Sequence, residues 1–409
     1  MHIGLAIYGS LDSVSGGYLY DRKLVEYLRA QGDTVEIISL PWRNYAAHLI
    51  DNFRFRLPSN LDILIQDELN HPSLITANAG RHPYPVVSLV HHLRCSELRP
   101  AWQNWFYRIV EKKYLQSVDG FIFNSRTTQA VVFDLLQSRG DPSMPINTNL
   151  SKASQSAKTT SSSWRVALTK PSLVAYPPTD RFGDGIAEKE IVERAKSDEL
   201  RILFLGNVIY RKGLHTLLEA VEGRRHRPEL VEGSKVRVDV VGSLSSEPRY
   251  ARSVQEKVKV SSLKSQVFFH GAFDNEPLVE KLRQAHVLVV PSSYEGFGIV
   301  YLEGMCFGLP AIGTSAGAAR EIIAHGETGY LIEPNDVESL ADHLRELETN
   351  RELLVRLSLN AAKRYRAQPK WVETASRIRE LLSVIARGDS PEAIPVTNEE
   401  IASSSRSSR

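Results

Sequence analysis

Residues 285–290 (AHVLVV) are apolar at every position except His286. A strand with no polar alternation has to be covered on both faces, and helices supply that cover in parallel α/β sheets. Pro291 ends the run, residues 292–294 make a loop, and Gly296 and Gly298 flank Phe297. A helix is expected over 299–307, stopped by Gly308, Leu309 and Pro310. Strand, glycine loop and helix in that order leave backbone N–H groups free at the positive end of a helix dipole, which favours an anion. Two carboxylates bracket the same point, Glu295 in the loop and Glu303 in the first turns of the helix. Carboxylates repel phosphate, so they are expected to bind neutral hydroxyls beside it. A ligand with phosphate in its middle and hydroxyls at both ends is a nucleotide-sugar.

The same strand-then-glycine pattern opens the chain. Residues His2–Tyr8 predict a buried strand, 9–18 a loop containing Ser15-Gly16-Gly17, 20–29 a helix, and 34–39 a second strand. The turn lacks G-x-G-x-x-G, so no dinucleotide fingerprint is present; by its residues alone it reads equally as an ordinary βα turn or a ligand loop. Further strands are expected at 61–66, at Val86–Val90 leading into His91-His92, at 120–124 followed by a helix through Leu136, and at 172–176. A second α/β unit starts at 199–206, with strands at 236–242, 266–270 and 287–290. Helices are expected over 337–347 and 354–387, the latter interrupted at Pro369 and Trp371. The helical stretch 102–114 mixes aromatics with Arg108, Lys112 and Lys113. That pattern fits a half-buried helix with a solvated face, or a basic aromatic face touching a membrane.

At 409 residues the chain exceeds one ordinary core, and two domains are expected. The divisions read are 1–178, 179–366, a helix within 367–387 crossing back to the first domain, and a disordered polar tail over 388–409. Residues 138–163, rich in Ser, Thr and Asn without periodicity, read as a disordered insertion. Net charge is 50 − 48 = +2, which gives no electrostatic case for nucleic acid. The two cysteines, Cys95 and Cys306, offer neither a disulfide framework nor a zinc cluster. With no leader and no apolar run of membrane length, a cytoplasmic protein is expected, with peripheral contact at the inner membrane face left open.

Glu295-Gly296-Phe297-Gly298, with Glu303 eight residues after Glu295, resembles the E-x7-E segment of retaining glycosyltransferases of the GT4 type, the "glycosyl transferases group 1" family. The continuation Gly308-Leu309-Pro310-Ala311-Ile312, then Gly317 to Glu321, then Gly326-Glu327-Thr328-Gly329-Tyr330-Leu331, is similar to that family too. The resemblance implies the GT-B fold: two facing Rossmann-like domains of α/β class, a cleft between them, and a final helix bracing the first domain.

It also implies roles. Glu295 would bind hydroxyls of the transferred sugar and face the reacting centre. Gly296, Phe297, Gly298 and Ile299 would offer backbone N–H groups, and Glu303 would hold the ribose. Gly17 would approach the donor phosphate from the opposite domain. His91, ahead of His92, would contact the sugar. Lys212 would place its charge on the leaving diphosphate, a role needed where no metal serves, and the chain has no Asp-x-Asp motif. One departure is Asn207, where family members carry Arg; Arg211 is the candidate replacement. The implied reaction moves a sugar from a UDP- or GDP-linked donor to a sugar, glycan, lipid-linked or small-molecule acceptor, with configuration retained and with no cofactor or metal. Competing readings are a glycoside hydrolase using Glu295 and Glu303, a nucleotide-sugar epimerase, and a non-catalytic nucleotide-sugar binder.

Overall fold

The computed structural model describes residues 1–13, 16–79, 82–137, 170–178, 180–223 and 235–389. The insertion read at 138–163 and, apart from residues 388 and 389, the tail lie outside these.

Six parallel strands form the first sheet: β1 (His2–Tyr8), β2 (Thr34–Leu40), β3 (Ile63–Asp67), β4 (Val86–Val90), β5 (Gly120–Phe123) and β6 (Ser172–Val174), in the order β2-β1-β3-β4-β5-β6. Six more form the second: β7 (Glu199–Leu205), β8 (Lys235–Val241), β9 (Val267–Gly271), β10 (Val287–Val289), β11 (Ala311–Thr314) and β12 (Gly329–Ile332), ordered β12-β11-β10-β7-β8-β9. In each sheet the chain starts in the middle, builds one side, then returns to build the other. The reversal falls between β1 and β3 in the first sheet and between β7 and β10 in the second. Helices leaving neighbouring strands at such a point diverge to opposite faces, which opens a crevice at the carboxyl ends.

β11 and β12 were not expected as strands. Their residues, Ala311-Ile312 and Gly329-Tyr330-Leu331, are read only as part of the family resemblance. The first helix differs as well. It spans Gly16–Ala30, so Gly16 and Gly17 form its first turn instead of the preceding loop. Their backbone N–H groups therefore belong to an open helix N-terminus.

The second domain has one apolar core, which includes Ile202, Leu288 and Leu302, all below 1% exposed. The first sheet carries a core on each face. One of them is completed by the last helix, Trp371–Arg387, whose Ala375, Ile378, Leu381 and Leu382 pack with Ile3, Leu5, Ile63 and Leu24. Each such fully buried Leu or Ile side chain contributes roughly 1.5–3 kcal/mol. Arg379 adds hydrogen bonds to Asp33 at 2.6 and 3.3 Å. The C-terminal helix is thus part of the first domain's core, although the preceding helix, Arg351–Arg366, belongs to the second. No helix among the described residues is long and apolar enough to cross a membrane.

Candidate active site

A cleft of about 1160 Å³ lies between the carboxyl ends of the two sheets. Gly17, His91, Lys212, Gly296, Glu303 and Arg181 are among the residues that line it. A second hollow of about 590 Å³, beside Val192 and Arg351, shares none of the cleft's lining residues and brings no comparable set of groups together.

Lys212 and Glu295, 83 positions apart in sequence, form an ion pair at the second domain's reversal point. Lys212 ends the short turn after β7, and Glu295 sits in the loop after β10. The Ser292 hydroxyl donates to the same Glu295 oxygen at 2.6 Å. Burial works against both charges. At Glu295 the nearby Lys212 and Arg211 outweigh it and hold the carboxyl below its usual range. At Lys212 burial prevails over the pull of Glu295, and the ammonium is easier to deprotonate than usual. We take both groups as charged, because the ammonium contact, the Ser292 hydroxyl and Arg211 all favour the ionised carboxylate, which in turn holds the ammonium. The backbone of Glu295 is clamped as well: its N–H donates to Ala316 O at 3.3 Å, and its carbonyl accepts from Ala318 N–H at 2.8 Å.

The loop then runs through Gly296, Phe297 and Gly298 into the helix Ile299–Cys306. The Phe297 ring is buried, 5.9 Å from the Tyr176 ring, which anchors the segment so that its backbone borders the cleft. Glu303 lies in that helix, buried, and accepts from Arg181 Nη1 at 2.7 Å. Burial pushes its carboxyl up despite this partner. The other guanidinium nitrogens of Arg181 donate to Asn275 Oδ1 at 3.1 and 2.7 Å, so the group is fixed from two sides. Arg181 was missed in the sequence. It sits in the segment joining the domains, and no motif marks it.

On the first domain, His91 and His92 follow β4. His91 turns inward, with Nε2 3.3 Å from Asp21 Oδ1 and its ring packed edge-on to Tyr20. Burial alone would lower the basicity of His91, but Asp21, with Asp67 and Glu68 beyond it, pushes its pKa up to about 9. Burial, with Asp21 nearby, pushes the Asp67 carboxyl up to about 8. Gly17 borders the same ring: a Cβ there would lie 3.4 Å from it. His92 turns the other way, to Glu97 at 3.1 Å. Glu97 also lies 3.9 Å from Arg211 of the second domain, whose Nη1 donates to Tyr294 O at 2.7 Å. Arg211 thus supports the loop backbone and faces the opposite domain. Asn207 also borders the cleft.

Two groups of described side chains are close enough to hold an ion: Asp21–Asp67–His91 and Glu68–His71–Glu111. In the second, the His71 nitrogens already meet Glu68 O and the Tyr45 hydroxyl, both at 2.9 Å, and Glu111 accepts from the backbone of Arg94 and Cys95. In the first, a protonated His91 supplies the balancing charge.

Direct contacts join the two walls. Glu321, from the second domain, accepts from the backbone N–H of Arg126 and Thr127 at 3.0 and 2.7 Å, capping the first-domain helix Arg126–Gln137. Ser125 Oγ donates to Gly296 O at 3.0 Å. A Cβ at Gly296 would fall 2.5 Å from His91 O, so only glycine lets the walls approach this closely.

Residues 186–364 match the family model described as "Glycosyl transferases group 1". The resemblance carried by Glu295 to Leu331 is therefore to a family whose model covers this stretch. A curated relative, the uncharacterized glycosyltransferase MJ1607 of Methanocaldococcus jannaschii, is 32% identical over 146 residues, covering 36% of this chain and 35% of that protein. The chain thus spans about a third of that relative's length. Among solved structures, the sucrose-phosphate synthase of Thermosynechococcus elongatus superposes with a TM-score of 0.71 at 19% identity, covering 95% of this chain and 99% of that one. Anabaena HepE, solved with UDP and glucose, gives 0.66 at 16% identity, covering 94% and 99%. The fold is GT-B.

Proposed function

We propose that this chain is a retaining glycosyltransferase that uses a nucleotide-diphosphate sugar, UDP- or GDP-linked, and needs no resident metal. The observation that carries this is the Lys212–Glu295 pair, set beside the open N-terminus of the Ile299–Cys306 helix. A cation and a helix dipole together suit the developing charge of a leaving diphosphate, and the carboxylate beside them suits sugar hydroxyls. The presence of UDP and glucose in the HepE neighbour supports the donor class. A hydrolase reading needs one of the two carboxyls as a proton donor. Here Glu295 is held ionised, and Glu303, whose carboxyl burial pushes up, gives one oxygen to the Arg181 guanidinium.

In the proposed reaction the anomeric C–O bond to the β-phosphate breaks, and its electron pair goes to the phosphate oxygen, which Lys212 faces. The acceptor oxygen bonds to the same face of the sugar, and its proton passes to the departing diphosphate. Gly17 and the N–H groups at 296–299 would hold the phosphates and sugar, Glu303 the ribose, and His91 the sugar from the opposite wall. The test is a thermal-shift panel with UDP, GDP and their sugar conjugates, followed by product NMR. A ligand at a hundredfold excess over Kd stabilises by about 2.7 kcal/mol. No shift with any of them, or a product with inverted configuration, would sink the proposal.

Arg181 holds one oxygen of Glu303 and leaves the other for ribose. Arg181→Ala is expected to raise the donor KM about tenfold, the scale of one charge-assisted hydrogen bond, with kcat little changed. The preference for ribose over 2′-deoxyribose donors should fall by a similar factor. An unaltered preference in parallel kinetics would detach Arg181 from ribose recognition.

The charge of His91 gives a pH dependence. Its pKa is raised, so the cation is present at neutral pH and is lost as pH rises through about 9. Turnover is expected to decline on that alkaline limb. In Asp21→Asn the main stabilising carboxylate is gone, and the decline should start nearer the ordinary histidine value of about 6.5. A pH–rate profile unchanged by Asp21→Asn would show that the limb belongs to another group.

A further inference from the structure

The first domain exposes an apolar surface that the cleft does not use. Trp42, Phe53, Leu98 and Trp102 are 65, 84, 66 and 70% exposed. Trp105, Phe106 and Ile50 are also exposed, so seven of the twelve large apolar side chains exposed among the described residues lie in two short stretches, 42–53 and 98–106. The rest are scattered singly over other elements and need no explanation. The two stretches adjoin: the Tyr45 ring lies 6.0 Å from that of Phe106 and 4.9 Å from that of Tyr107. They follow β2 and β4, so the surface sits at the carboxyl edge of the first sheet, on the same side as the cleft.

The helix Ala101–Gln116 shows how the surface is built. Its inward side buries Val110, Glu111, Tyr114 and Leu115. Trp102, Trp105, Phe106 and Lys113 fall at helical spacing on another side and are exposed. Charge is sorted in the same way. The one acidic group of the two stretches, Asp51, turns to Arg43, and Glu97 and Glu111, just outside the second stretch, turn to His92 and Arg99 and to backbone N–H groups. Arg54, Arg56 and Lys113 are exposed on or beside these stretches, in addition to Arg43 and Arg99, which are exposed but paired with Asp51 and Glu97. The chain as a whole carries only +2, so this basic excess is local.

We propose that this aromatic and basic face of the first domain docks on an anionic lipid bilayer and so brings the cleft to an acceptor held in that membrane. Exposed Trp and Phe suit the headgroup boundary, and Arg and Lys around them suit anionic headgroups. Phe53 follows the end of one helix and Trp102 lies in the first turn of another, so they project from helix ends. The acceptor class rests on the glycosyltransferase reading; the docking does not.

The experiment is flotation of the full chain with phosphatidylglycerol-containing vesicles and with pure phosphatidylcholine vesicles. Wild type is expected to float with the first and not with the second. Arg54→Gln/Arg56→Gln/Lys113→Gln should weaken binding about a hundredfold, a factor of about five for each charge. Phe53→Ser/Trp102→Ser should abolish flotation. Both variants should keep the wild-type thermal shift with nucleotide, since none of these residues lines the cleft. Variants that float like wild type, or wild type that ignores anionic vesicles, would overturn the docking. So would a patch-dependent dimer in sedimentation, which would show a second copy covering the face. A nucleotide shift without flotation removes the membrane inference alone; flotation without any nucleotide shift counts against the transferase reading alone.

Discussion

Lys212→Ala is expected to lower turnover by a factor on the order of 10²–10³, the scale seen when one preorganised donor to a developing anion is lost. Arg211 cannot easily take over, because its Nη1 is committed to Tyr294 O and its Nε faces Glu97. The substitution also leaves Glu295 as a buried carboxylate without its main cation. Breaking one partner of a buried pair costs about 3–5 kcal/mol, so the melting temperature should fall as well. The two effects separate in a second variant. Lys212→Met/Glu295→Gln removes both charges and should recover much of the stability while turnover stays low. Single-turnover kinetics and thermal unfolding of both variants give the test. Near-normal turnover in Lys212→Ala would remove the charge from the mechanism.

Gly317→Ala is expected to damage both stability and activity through the backbone. Gly317 has φ +88° and ψ −150°, a conformation closed to residues with a Cβ. A Cβ placed there would lie 2.1 Å from the Glu295 carbonyl oxygen. Strain and overpacking each cost about 1–3 kcal/mol, and the clamp from 316–318 onto Glu295 would have to open. A shift of this loop by about 1 Å would move the Glu295 carboxylate from the position proposed for it beside the sugar and should cost about 100-fold in kcat. Gly326→Ala is the control. Gly326 also has positive φ, at 76°, but nothing lies within 4 Å of its Cβ position. It should lose about 1 kcal/mol and little activity. Equal kcat in the two variants would deny the clamp its role.

Strands are read from their apolar runs, both fully buried ones such as β3, β4 and β5 and partly exposed ones such as β2 and β9. β1 and β4 match the expected limits, and β7, β8 and β10 lie within a residue or two of theirs. Burial on both faces writes an unbroken apolar run, which is hard to mistake. β11 and β12 are read only as motif segments of the family resemblance, and the first helix started before its apolar spacing did. Glu295 and Glu303 could be named because they bracket a glycine loop at a helix start, and Lys212 through the family resemblance. Arg181 and Asp21 could not. Arg181 lies in a segment without periodicity, and Asp21 looks like any polar residue of an amphipathic helix until its burial is known.

The order of strands, loops and helices, and with it the class of fold, follows from the sequence, because parallel α/β units are encoded within each stretch of some thirty residues. What only the tertiary structure decided is which charge meets which. Both sheets reverse at their starting strand, and that reversal sets the loop after β7 beside the loop after β10. It joins Lys212 to Glu295, and the interdomain segment brings Arg181 to Glu303. Closure of the domains then carries Glu321 to the helix at Arg126 and Gly296 to His91. These are contacts between residues far apart in the chain. Their energies depend on burial and mutual distance, which no local pattern of residues records.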